Sequence, residues 1–282
     1  MTHRSWLFVP GDSPRKMEKA LQSGADALIL DLEDAVAPAD KARARELVAA
    51  FLAQPAEIAR FVRVNALDTG LTESDVAATA GLGLQGYVLP KCEGPDDIAT
   101  LAALMDHHKG EPDLGILAIA TETARAVRRL MREDWSHPRL HALTWGGEDL
   151  SADLGASRNR DDRGGYLGPF QLARDLTLFA AAEAGVAAID AVFTDFSDAD
   201  GLSSETAAAC ALGFAGKMAI HPAQVSVIHQ ALRPSTEELD WARNVLDSFA
   251  VSESGVTRLG NLMLDRPHLI KAQRILARER LN

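Results

Sequence analysis

Cysteine is nearly absent from this chain: Cys92 and Cys210 are the only two in 282 residues. Neither lies in a CxxC or other metal-ligand spacing. This excludes a disulfide framework and a thiolate metal centre, and fits buried, reduced thiols in a cytosolic protein. No apolar run approaches the length needed to span a bilayer, so no membrane contact is expected. The opening Met1-Thr2-His3-Arg4 runs straight into a strand-like Trp6-Leu7-Phe8-Val9, with no secretory signal, and a cytoplasmic location is expected. Positive charge is also short: 29 Lys and Arg against 40 Asp and Glu leave a net charge of -11. A surface of that sign disfavours nucleic acid, although a local basic pocket for a phosphorylated ligand stays compatible with it. HExxH, GxSxG and P-loop motifs are missing. Gly81-Leu82-Gly83-Leu84-Gln85-Gly86 spells GxGxxG, but it follows a helical stretch and opens a strand. A dinucleotide fingerprint needs the reverse order, so the segment reads as a turn.

What is present is repetition. Strand patterns fall at 5–9, 27–32, 60–64, 86–90, 114–121, 141–146, 187–193 and 216–220. Helical patterns lie between them, at 14–23, 40–53, 72–80, 95–108, 123–132, 169–184 and 203–212. Eight strands alternating with helices, at roughly thirty residues per unit, predict an α/β fold, a (β/α)8 TIM barrel. Further helices are expected near 222–231, 236–250 and 267–280, the second opened by Ser235 and Glu238 at capping-box spacing. Residues 252–265 read as a loop or short hairpin between the last two. The expected organisation is a catalytic barrel over 1–222 and a C-terminal helical appendage over 223–282 that contributes to oligomer contacts.

The reactive side chains stand where apolar strands stop, and in a barrel of parallel strands those ends surround one pocket. Leu28-Ile29-Leu30 runs into Asp31, Glu33 and Asp34, and Phe61-Val62 runs into Arg63 and Asn65. The fifth strand ends in Glu122, and the sixth opens through Gly146-Gly147 onto Glu148 and Asp149. Two carboxylates, Glu122 and Asp149, with waters and a chelating substrate would make an all-oxygen site suited to Mg2+ rather than Zn2+. A single carboxylate there would read as a helix cap; the pair, with two glycines allowing close approach, favours metal. Arg63 can be a fork for a substrate carboxylate or the partner of Glu33 or Asp34 in a structural salt bridge. The helix start at Pro10 to Lys16, with Lys19 a turn later, can hold phosphate, but as spacing alone it reads as an ordinary capped helix. Lys91 and Lys217 are chemically able to form an imine, yet read as hydrogen-bonding or structural lysines. His221, at the end of strand eight, either faces the pocket or caps the next helix. The polar loop 158–165 is a lid or a solvated loop.

Together these blocks resemble a known family. Arg4-Ser5 with Leu7-Phe8-Val9-Pro10-Gly11, Ile29 to Val36 (ILDLEDAV), Arg63-Val64-Asn65, Leu89-Pro90-Lys91, Glu122-Thr123, Gly147-Glu148-Asp149-Leu150 and Gly216 to Pro222 are similar to citrate lyase β-subunits. They occur in the same order, from residue 4 to about 275, as in the wider HpcH/HpaI aldolase superfamily with its malyl-CoA and citramalyl-CoA lyases. The resemblance implies a Mg2+-dependent enzyme, usually a trimer, that makes or breaks a carbon–carbon bond between an acyl thioester and a 2-oxo acid. It assigns Glu122 and Asp149 as metal ligands and Arg63 as the substrate-carboxylate arginine. Phe8, Lys19, Glu148, Ile220 and His221 become contacts to the substrate or its CoA portion. Asp265 matches an aspartate that reaches into a neighbouring subunit's site. This chain departs from the family there, with Asn261 where a Gly is usual.

The expected chemistry is cleavage of a citryl-, malyl- or citramalyl-type thioester into an acetyl thioester and oxaloacetate, glyoxylate or pyruvate. Asp265 would move the proton at the acetyl carbon, Arg63 would hold the carboxylate, and Glu33 and Asp34 would orient metal-bound water or Arg63. Expected partners are the 2-oxo acid, an acyl-CoA or acyl-carrier thioester and further copies of the chain, as a homotrimer or hexamer. The rival readings are a citrate lyase β-subunit acting on citryl-acyl-carrier protein within a complex, a thioesterase, and a catalytically silent barrel.

Overall fold

The strand-forming runs are short, continuous and rich in Val, Ile, Leu and Ala, the composition of strands covered on both faces. In the computed structural model, which describes residues 3–108, 111–251 and 255–279, eight of them close into a parallel barrel in sequence order. They are β1 (Ser5–Pro10), β2 (Ala27–Asp31), β3 (Ala59–Arg63), β4 (Gly86–Leu89), β5 (Gly115–Ile119), β6 (Leu140–Thr144), β7 (Ala187–Asp190) and β8 (Gly216–Ala219). The intervening helices are α1 (Pro14–Ala20), α2 (Lys41–Leu52), α3 (Thr72–Thr79), α4 (Pro95–His107), α5 (Ala124–Leu130), α6 (Gly147–Asp153), α7 (Gly168–Glu183) and α8 (Ala199–Leu212). The expected (β/α)8 barrel is the fold of this chain.

Side chains from alternate strand positions fill the barrel interior. Trp6, Ile29, Phe61, Val88, Leu117, Ile119, Ile189 and Met218 form one buried cluster with the small Ala27, Ala59 and Ala142. The mixture of large and small residues lets the layers interdigitate, so the barrel is a packed core and not a channel. Close approach of strands fixes Gly86, where a Cβ would stand 2.0 Å from the Gly115 carbonyl oxygen. A cavity of about 290 Å³ opens among His3, Trp6, His141 and Ala187, at the strand starts. That end of a parallel barrel carries stability, and the chemistry belongs to the other.

Several boundaries differ from the sequence expectation. β5 and β6 end at Ile119 and Thr144 rather than 121 and 146. The reason is local: the Gly146 N–H turns away from the strand ladder and donates to the Thr121 hydroxyl at 3.1 Å. The chain then enters α6, a helix that the Gly146-Gly147 pair hides from pattern reading. α8 starts at Ala199, earlier than expected, because the Asp198 carboxylate accepts from the Gly201 N–H at 2.8 Å and caps it. Gly213 stops that helix at φ 119°, a conformation that favours glycine. Cys92 is buried, as expected, but Cys210 is only half-buried; neither forms a disulfide.

The chain divides into two compact units, Met1–Ile228 and His229–Asn282; the division falls inside α9 (Ala223–Leu232). The second unit holds α10 (Thr236–Ala250), an antiparallel hairpin of β9 (Thr257–Leu259) and β10 (Leu262–Leu264), and α11 (Arg266–Glu279). Ser235 and Glu238 make the expected capping box at the start of α10. Ala242, Val245, Leu264, Ala272 and Ile275 form this unit's own core.

Candidate active site

Asp31 and Arg63 are the last residues of β2 and β3 and stand opposite each other in the parallel register. Strand pairing alone therefore brings their side chains together at the C-terminal mouth. The Asp31 carboxylate accepts from Arg63 Nε at 2.7 Å and from Nη2 at 2.6 Å. It also accepts from the backbone N–H groups of Glu33 and Ala35. Arg63 Nη1 lies 2.9 Å from Glu33 and 3.6 Å from Asp34. The Phe8 ring lies 4.8 Å below the guanidinium carbon, giving the arginine a flat wall. Of the two roles the sequence allows Arg63, the structure shows the ion pair, and its principal partner is Asp31 rather than Glu33 or Asp34. Burial works against the arginine's charge, but Asp31, Glu33 and Asp34 outweigh it and raise its pKa.

Lys91 follows β4 in a left-handed conformation, φ 48°, unusual for a residue with a side chain. That backbone turns two groups into the mouth. Its N–H donates to Glu122 Oε2, and its ammonium pairs with Glu33 and lies 3.8 Å from Asp34 and 3.6 Å from Asp149. Burial lowers the lysine pKa, but Glu33, Glu122 and Asp34 outweigh it and raise it overall. An ammonium so held is a poor nucleophile, which argues against an imine at Lys91. Burial raises the Glu33 pKa, despite Arg63 and Lys91. For the more exposed Asp34 the opposing burial is outweighed by its contact with Glu33 and by Arg63 and Lys91, and its pKa falls.

Glu122 lies three residues beyond the end of β5, and is buried. Desolvation, reinforced by the Asp149 charge, pushes its pKa up to about 8. Gly146 gives it room, since a Cβ there would stand 2.7 Å from Glu122 Cγ. Asp149 is not at a strand end, as the spacing predicted. It sits with Glu148 in the first turn of α6, where the helix dipole favours negative charge. Glu148 accepts from Asn159 Nδ2 at 2.7 Å, which ties it to the loop after α6. A buried carboxylate with a raised pKa, facing Asp149 and a glycine-lined approach, is a donor set that fits a hard divalent cation.

The other expected contacts are more dispersed. His221 stacks on Phe196 with ring centroids 5.1 Å apart, and its Nδ1 accepts from the Ala223 N–H at 3.2 Å. That bond satisfies an N–H at the start of the following helix and leaves the ring exposed. Ile220 is exposed, and its N–H donates to Gln224 Oε1 at 2.9 Å. Gln224, which sequence reasoning missed, also accepts from the His221 N–H and donates to the Phe193 carbonyl, so it fixes this turn. Lys19 is exposed in the last turn of α1, a turn beyond the helix start, as the spacing places it. Asp265 lies in the second unit, with Oδ1 2.6 Å from His268 Nδ1. Lys217 is fully buried in β8 and pairs with Asp190 at 2.7 Å and Glu205 at 2.9 Å, the structural role expected of it.

A closed parallel barrel whose C-terminal mouth gathers carboxylates, an arginine and a lysine has the architecture of an enzyme active site. The chain belongs to the HpcH/HpaI aldolase/citrate lyase family, whose pattern it matches over residues 4–222. It is 35% identical over 280 residues to a (3S)-malyl-CoA thioesterase of Cereibacter sphaeroides, covering 98% of this chain and 94% of that one. It is 37% identical over 273 residues to a citrate lyase subunit beta-like protein of Mycobacterium tuberculosis, covering 97% and 94%. The crystal structure of the M. tuberculosis protein CitE in complex with magnesium, acetoacetate and coenzyme A superposes with a TM-score of 0.84 at 36% identity. That superposition covers 99% of this chain and 98% of the other. The family places this chain among the lyases, with thioesterase activity within its range.

Proposed function

We propose that this chain is a Mg2+-dependent lyase acting on a short 3-hydroxyacyl thioester of the citryl, malyl or citramalyl type. It splits the thioester into an acetyl thioester and a 2-oxo acid, or joins the two. The observation that carries this reading is that Arg63, Glu122 and Asp149 are linked at one barrel mouth through Glu33 and Lys91, in a chain whose similar structure holds magnesium, acetoacetate and coenzyme A. Glu122 and Asp149 would hold the Mg2+, which supplies a Lewis acid for the oxygen that gains charge as the carbon–carbon bond breaks.

Arg63 binds the substrate carboxylate. A guanidinium has five N–H donors; two are hydrogen-bonded to Asp31, and Nη1 is ion-paired with Glu33 at 2.9 Å. The donors left on Nη1 and Nη2 can serve a substrate carboxylate. Asp31 holds the fork in plane, and Glu33 and Asp34 keep the arginine and Lys91 in place. Phe8 backs the guanidinium, while Glu148, Ile220, His221 and Lys19 contact the rest of the thioester. Asp265, supplied by a neighbouring copy in a homotrimer or a hexamer, moves the proton at the acetyl carbon.

Product analysis tests this reading. Purified protein with Mg2+ is given malyl-, citramalyl- and citryl-CoA, and the acetyl thioester, 2-oxo acid and released CoA are quantified. Equal amounts of acetyl-CoA and 2-oxo acid are expected. Free CoA without 2-oxo acid would mean a thioesterase, as the Cereibacter relative is named. Turnover only of a carrier-protein thioester would mean a lyase-complex subunit, and no turnover of either would leave a silent barrel.

A further inference from the structure

Outside the residues of the candidate active site, two histidines at the end of α4 approach a glutamate in the first turn of α3. Glu73, His107 and His108 each offer a ligand atom, and these atoms all lie within 4.8 Å of one another. Among the described residues this is the one set of three His, Cys, Asp or Glu side chains with that property. His108 carries a second, independent signal. Its Nε2 is shut off from solvent and has no hydrogen-bond partner. Glu73 Oε1 stands 3.5 Å from it, close enough for an ion pair if the ring is protonated, but outside hydrogen-bond geometry. A buried ring nitrogen with no partner calls for an explanation, and a bound ion is one. The His107 and His108 rings meet edge to face with centroids 4.8 Å apart, which keeps the two imidazoles on one surface.

We propose that Glu73, His107 and His108 form a surface site for a transition-metal ion of the Zn2+ class, separate from the carboxylates of the barrel mouth. Two imidazoles and one carboxylate are the donors that Zn2+, Ni2+ and Cu2+ prefer, whereas Mg2+ takes oxygen. Bonds of about 2.0–2.2 Å to a tetrahedral zinc set neighbouring ligand atoms roughly 3.4 Å apart. The Glu73–His108 pair already stands at 3.5 Å. Glu73 and His107 are exposed, so rotation of their side chains closes the longer separations, and water takes the fourth position. The ion would tie α3 to α4. Because the site exists only in the folded chain, binding stabilises the fold.

The test is a Zn2+ titration of untagged protein saturated with Mg2+, followed by calorimetry and thermal unfolding. One zinc per chain should bind and raise the Tm, and further Mg2+ should do neither. His107→Ala and Glu73→Gln, both at exposed positions, should each weaken zinc binding by roughly tenfold or more and abolish the rise in Tm. Glu122→Gln should leave zinc binding intact. Absence of zinc binding overturns the proposal. So does zinc that binds the His107→Ala and Glu73→Gln chains as tightly as the wild type, or that is lost in Glu122→Gln.

Discussion

Both carboxylate oxygens of Asp31 accept from the guanidinium of Arg63, at 2.7 Å from Nε and 2.6 Å from Nη2, across two strand ends in register. The pair is nearly buried, so removing the anion leaves a charge without its main counterpart. Asp31→Asn should cost about 3 kcal/mol of stability, the low end for breaking a buried pair, because Glu33 still faces Arg63. It should also raise KM for the thioester while Mg2+ affinity holds. Urea unfolding and steady-state kinetics check the two effects, and an unchanged KM would mean that Asp31 does not position Arg63.

Gly146→Ala probes the other side of the mouth. The new methyl would meet Glu122 Cγ at 2.7 Å, and the buried glutamate has to turn aside. Overpacking of this kind costs about 1–3 kcal/mol. Mg2+ affinity should fall while Arg63-dependent binding of a 2-oxo acid persists. Calorimetry with each ligand separates the two.

Asp190 predicts an acid limit to stability. Against full burial, Lys217, Arg174 and the Trp145 N–H hold its pKa below the usual carboxylate value. The stability this gives is fully present above the unfolded-state pKa of about 3.9, and is lost as the pH falls through the lower folded-state value. Asp190→Asn should be destabilised by about 3–5 kcal/mol at neutral pH, because Lys217 stays buried with only Glu205 beside it. Its unfolding free energy should also fall less steeply below about pH 4 than that of the wild type. Parallel slopes would assign the acid loss to other carboxylates.

Asp265 tests the composite site. Asp265→Asn should retain Mg2+ and 2-oxo acid binding but lose cleavage. Mixing it with Arg63→Ala under conditions of subunit exchange should restore part of the activity, since some mixed assemblies would contain an intact site. No recovery after demonstrated exchange would confine Asp265 to its own chain or remove it from catalysis.

The barrel was legible because each strand is an apolar run that ends in polar residues, a signal that local sequence carries. The same holds for the Ser235–Glu238 capping box, whose two halves are three residues apart. Register is not local. Nothing near Asp31 announces that Arg63 will stand opposite it, and nothing near Lys91 announces a left-handed turn aimed at Glu122 and Glu33. α6 was hidden by its two leading glycines, so Asp149 looked like a strand end when it begins a helix. The approach of Glu73 to His107 and His108 depends on how two helices pack, which no pattern in either helix encodes.

The central claim is that Glu122 and Asp149 hold the Mg2+ on which carbon–carbon cleavage depends. Its most direct test is cleavage rate against Mg2+ concentration for the wild type, Glu122→Gln and Asp149→Asn, with Mg2+ binding measured on the same samples. The wild type should lose turnover in EDTA and regain it with Mg2+. Both variants should bind Mg2+ at least about tenfold more weakly and stay inactive at concentrations that saturate the wild type. Activity that survives EDTA, a product trapped by borohydride on Lys91, or wild-type Mg2+ affinity in either variant would contradict it.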